Sequence, residues 1–159
     1  MDQVERARRY LERIRAMYAG VPYREDASEY YPDDVCSFFI HCYHIRDWIV
    51  ALHPAGVSIA DVDLIVNSSF ELQVCADLCN GTKHCRLKHT RTSKRPFVAG
   101  HRFVSTGQGV VGGVVTGRPQ SMQCQFEILA DGEYYDALWL AERCMAVWDG
   151  YLDALGSAG

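Results

Sequence analysis

The segment Leu78 to Thr90, LCNGTKHCRLKHT, brings an amide, an ammonium group and an imidazole close together at Asn80, Lys83 and His84. An imidazole titrating near neutrality can give or take a proton at physiological pH, which suits it to general acid–base work. A cation beside it, Lys83 or Arg86, can stabilise the charge that builds on a phosphate under attack. Asn80 can orient the histidine or the phosphate, and Asp77, a turn before Asn80, can hold the imidazole. His84, Asn80, Lys83 and Asp77 are therefore the candidate catalytic set, for acid–base chemistry at a phosphate.

The same segment opens a long basic interval. Between Asp77 and Glu127 there is no carboxylate, and the interval holds eight cations: Lys83, Arg86, Lys88, Arg91, Lys94, Arg95, Arg102 and Arg118. The rest of the chain carries 8 cations against 20 carboxylates, so an acidic body bears one basic segment. Such asymmetry is the footprint of a polyanion partner, RNA among them. The first seven of these cations are the candidate phosphate contacts. The alternative is a basic loop docked on the protein's own acidic helices.

A second group lies in HCYHIRDW, residues 41–48. His41, His44 and Trp48 share a flank of one helix, and Asp47 stands three residues after His44, close enough to hydrogen-bond it in a polar seam. Cys42 lies between the histidines, but mid-helix it lacks the positive helix end that activates a thiol. Cys75, Cys79, His84 and Cys85 invite a zinc reading, since positions i and i+4 share a helix face. No second close ligand pair stands at zinc-finger spacing, so no metal is assigned, and Cys75 and Cys79 read as core residues. GQGVVG at 107–112 matches the glycine spacing of a dinucleotide loop but is followed by strand and turn, not by a helix. No cofactor is expected.

The elements that position these groups are mostly helical. Val4, Ala7, Leu11, Ile14 and Tyr18 form an amphipathic stripe; the punctuation of residues 19–34 reads as a linker. Asp33 or Asp34, after Pro32, is the expected N-cap of a second helix with a stripe of Val35, Phe38, Cys42, Ile45, Ile49 and Leu52. Ser58 with Asp61 and Ser68 with Glu71 match the capping-box spacing, predicting helices near 59–66 and 69–80, with Gly81 ending the latter. Residues 96–130 change to three β-rich runs, and in the last of them Met122, Cys124, Phe126 and Ile128 alternate with polar residues. A final helix is predicted over 132–154. The expected fold is mainly α: one domain, 1–159, an antiparallel four- to five-helix bundle with a three-stranded antiparallel β meander at 96–130 inserted before the last helix.

At 159 residues, 48% hydrophobic and 23% charged, the composition is that of a globular domain and excludes a disordered chain. No apolar run reaches the roughly 18–20 residues needed to cross a bilayer, so no membrane partner is expected. MDQVERARRYLERIRAMY has no signal-peptide core. Seven cysteines without a secretory signal imply reduced thiols and a cytoplasmic location.

With a helical bundle, CNGTKH at 79–84 resembles the HEPN family of helical nucleases and nucleotide-binding proteins, whose active members share an Arg-x(4–6)-His motif, often with a polar residue after the arginine. Asn80 matches the polar position and His84 the histidine; Cys79 stands in the arginine slot. The resemblance implies metal-independent RNA chemistry in which the histidine supports attack by a 2′-hydroxyl, and a site shared between two protomers, hence a homodimer. HxxDW at 44–48 with DLCNGTKH at 77–84 also resembles bacterial proteins without an assigned activity. Loss of the motif arginine, with its bidentate fork, is what a noncatalytic relative would show. The favoured expectation is therefore a noncatalytic nucleic-acid- or nucleotide-binding protein. A toxin-type ribonuclease using His84 and a structural helical oligomer or protein-interaction domain are the alternatives.

Overall fold

Apolar residues three and four apart wind the first segment into α1 (Asp2–Ala19), where Val4, Ala7, Leu11 and Ile14 are buried. The computed structural model describes residues 2–53, 56–84, 89–107, 110–115, 117 and 119–157. After β1 (Val21–Pro22), α2 spans Ala27–Leu52, starting well before the expected cap at Asp33 or Asp34. Ala27 and Tyr31 are buried, so the extra turns cover core. Pro32 inside the helix removes the N–H that would bond the carbonyl of Ser28, an exposed residue. Asp34, not needed as a cap, accepts from Arg13 at 3.0 Å.

The helix α3 (Ile59–Ser68) begins with the predicted capping box: Asp61 N–H donates to the Ser58 hydroxyl, and Ser58 N–H donates to the Asp61 carboxylate. The next helix, α4 (Phe70–Lys83), is capped one residue later than the spacing suggests. Ser69 accepts from Leu72 N–H, while the Ser68 hydroxyl donates back to the Leu64 carbonyl at 2.6 Å. Gly81 does not end α4. Its lack of a side chain admits Arg95 instead: a Cβ there would lie 2.9 Å from Arg95 Nε, and Arg95 donates to the Gly81 carbonyl at 2.7 Å.

The β-rich region departs from a three-stranded meander. β2 (Phe97–Thr106) pairs antiparallel with β5 (Ser121–Ala130), but the run between them folds on itself as a separate hairpin of β3 (Val110–Val111) and β4 (Val114–Val115). Strands from outside 96–130 complete a four-stranded sheet. On the other edge of β5, β1 meets residues 121–122 and β6 (Glu133–Asp136) meets 127–130. The last helix, α5 (Ala137–Ser157), consequently starts later than expected. The molecule is mainly helical with one small antiparallel sheet; among the described residues no helix is long and apolar enough to cross a membrane.

The alternation read from β5 holds, with Met122, Cys124, Phe126, Ile128 and Ala130 buried against α1 and α5. Between the β1 and β6 pairings, Phe126 lacks a strand partner on that edge, and the Tyr18 hydroxyl supplies one. It accepts from Phe126 N–H at 3.0 Å and donates to Phe126 C=O at 3.1 Å. Burial pushes the Tyr18 phenol up to about 12, so it stays a donor throughout the stable pH range. Tyr18→Phe is expected to lower unfolding free energy by about 2 kcal/mol, because both backbone groups lose their partner at once. A urea unfolding midpoint unchanged from wild type would contradict this.

Candidate nucleic-acid interface

The last turn of α4 presents the motif residues, and they do not act as one cluster. Asn80 accepts the His84 N–H on its backbone carbonyl at 3.0 Å, closing the helix; the His84 side chain is exposed on extended backbone. Lys83 reaches across to α2 and donates from Nζ to His44 Nε2 at 2.7 Å. Burial and then the Lys83 charge hold His44 below the usual histidine range, so the ring stays neutral and accepts. The secondary group and the α4 end are thus joined, through Lys83 and not through His84.

Asp77 serves a different purpose from orienting His84. It is 1% exposed and accepts from Arg91 N–H at 2.7 Å, Thr92 N–H at 2.8 Å and the Thr92 hydroxyl at 2.8 Å. The carboxylate anchors the returning loop against the middle of α4. Next to it, Ser93 donates from N–H and hydroxyl to Asp131, a second clasp.

The expected His44–Asp47 hydrogen bond is not made. Asp47 is exposed and accepts from Arg46 at 2.8 Å, and Arg46 also makes a bidentate pair with Asp63 at 2.7 and 2.8 Å. An i,i+3 spacing allowed the first contact, but a guanidinium fork that can bridge two carboxylates takes Asp47 instead. His41 belongs with α1: its ring stacks on Tyr10 at 5.1 Å and lies 3.1 Å from Gln3 Nε2.

The candidate phosphate contacts divide. Arg91 is held by Asn67 at 3.2 Å and Asp63 at 3.6 Å and lies over the Tyr43 ring, so much of its charge is spent within the fold. Arg95 lies across the last turn of α4, where a cation complements the carbonyl end of the helix. Lys83 and Lys94 are exposed. Arg102 is on β2, in a groove shared with Glu127 and Asp136, apart from the others in the fold. Arg86 and Lys88 lie outside the described residues, as does Cys85 of the zinc reading.

Comparison with protein-family models, with curated proteins and with solved structures finds no match to this chain. Its chemistry therefore has to be read from its own atoms.

Cys79, in the arginine slot, is fully buried with its sulfur 4.0 Å from His44 Nε2, which looks like a nucleophile and a base. Burial, however, pushes the thiol up while burial and Lys83 push the imidazole down, so thiol and imidazole both remain neutral. Cys75, one turn earlier, points elsewhere and donates to the Phe39 carbonyl at 3.3 Å, so the two cysteines do not form a zinc pair. The sequence reading missed the Arg46–Asp63–Arg91 group and the Asp77–Thr92 anchor. The one available signal was a carboxylate inside the apolar run VCADLC, a position that demands a partner.

Proposed function

We propose that this protein binds RNA or another polyanion without cleaving it, using cations around the C-terminal end of α4. What carries the reading is the surface made by exposed Lys83 and Lys94 with Arg95, in an interval with no carboxylate from residue 78 to 126. Catalytic partners for His84 are lacking in the described surroundings: Asp77 is committed to Thr92, and the slot of the motif arginine holds a buried, neutral thiol. The HEPN-like bundle, the homodimer and the cytoplasmic setting belong to this same proposal. The clasps of Asp77 and Asp131 on residues 91–93 favour, as a second reading, a structural loop serving a protein interface.

The test is a mixed-sequence labelled RNA incubated with the full chain in EDTA at low salt, read for retention and for cleavage. Retention without cleavage is expected, weakened in the double variant Lys83→Ala, Lys94→Ala. Cleavage that disappears in His84→Ala would replace the proposal with the ribonuclease. Absence of retention would leave the structural reading.

A further inference from the structure

Three helices send a cysteine to one point in the core: Cys42 from α2, Cys75 from α4 and Cys144 from α5, all 0% exposed, with the three sulfurs within 4.8 Å of one another. Bonds of about 2.3 Å to one three-coordinate ion hold its sulfurs about 4 Å apart when planar and about 3.4 Å apart when pyramidal, so side-chain rotations would bring this trio onto one ion. A fourth group points at the same place. Trp148 is fully buried, its indole N–H has no hydrogen-bond partner among the described residues, and it lies near the Cys42 sulfur. An orphan donor beside a sulfur gains a strong acceptor when that sulfur carries the extra electron density of a bound thiolate.

We propose that Cys42, Cys75 and Cys144 form a buried three-sulfur site for a trivalent thiophilic ion of the arsenite class.

Charge decides the class. All three sulfurs are fully buried, so a complex with net negative charge is penalised by desolvation. Three thiolates on a divalent ion leave one negative charge and on a monovalent ion two, whereas on arsenic(III) they leave none. Protons point the same way. Cys75 donates its S–H to the Phe39 carbonyl and Cys144 to the Glu71 carbonyl at 3.2 Å. A divalent ion would have to expel those protons to solvent. Arsenous acid does not: each thiol proton leaves on an arsenic-bound hydroxyl as water. Three arsenic–oxygen bonds and three S–H bonds break, three arsenic–sulfur bonds form, three waters depart, and no oxidation state changes.

The experiment uses the full chain reduced with a phosphine, so that no added thiol competes, and treated with one equivalent of sodium arsenite. Native mass spectrometry is expected to show one adduct heavier by an arsenic atom less three hydrogens, and X-ray absorption at the arsenic edge to count three sulfur neighbours. The adduct is expected to disappear in Cys42→Ala, Cys75→Ala and Cys144→Ala and to persist in Cys36→Ala. The sulfur count on wild type needs no variant, so a poorly folding substitution does not blunt the test. An arsenic with two sulfur neighbours, an adduct surviving loss of each of the three cysteines, or preferential capture of zinc by the same trio would overturn the proposal.

Discussion

Asp77→Ala is expected to lower the unfolding free energy by about 3 kcal/mol and to expose the amides of residues 91–93 to exchange, while leaving most helical circular dichroism in place. The carboxylate is buried and satisfies two backbone N–H groups and a hydroxyl of the returning loop. Bonds from neutral donors to a charged acceptor contribute about 1.5–3 kcal/mol each, and donors left unpaired in the interior add their own desolvation cost. Against this stands the relief of no longer burying a carboxylate. The relief is the smaller quantity, because alanine supplies no acceptor and leaves the Thr92 N–H dry. Asp77→Asn, which keeps the shape and one acceptor oxygen, should cost about half as much. A loss under about 1 kcal/mol for the alanine variant, measured by denaturant unfolding, would mean that the loop finds other partners.

What the sequence made legible follows from which patterns are local. The α1 stripe and the β5 alternation are periodic signals, and the structure buries their apolar members, Tyr18 of α1 only partly. The Ser58–Asp61 box is a three-residue code and holds. The start of α2 was hidden because Pro32 reads as a stop, and only the burial of Ala27 and Tyr31, a tertiary matter, shows why the helix tolerates it. In the β region the signals were local but misread. Gly112 and Gly113 both have positive φ, as a two-residue hairpin turn between β3 and β4 requires, so the run between Gly109 and Gly117 could not serve as one middle strand. Asp131 and Gly132, also at positive φ, make the same kind of turn into β6; the pair Asp-Gly is a strong hairpin signal that sequence reasoning passed over as a helix start. The candidate site was legible only as a list of residue types. That His44 meets Lys83 across 39 residues and that Asp77 faces Thr92 are consequences of packing α2 and the loop onto α4, which no spacing rule encodes.

The affinity of the full chain for a single-stranded RNA is expected to fall about 20-fold when monovalent salt rises from 50 to 200 mM. The number follows from the cations left to meet phosphates. Arg91 is held by Asp63, Asn67 and Tyr43, and Arg102 shares its groove with two carboxylates; the exposed Lys83 and Lys94, with Arg95 bonded across the end of α4, are the described cations that would meet phosphates. Three neutralised phosphates on a single strand give a logarithmic slope of about −2, because each contact releases about 0.7 counterion. If Arg86 and Lys88 also reach phosphates, the slope steepens to about −3.5 and the loss over the same interval exceeds 100-fold. Lys83→Ala adds a second diagnostic. Removing one phosphate contact should flatten the slope by about 0.7 and weaken binding similarly across unrelated sequences, since a backbone contact carries no base information. A slope near zero in the wild type would overturn the polyanion reading and leave Arg91, paired with Asp63, as a cation that serves the fold.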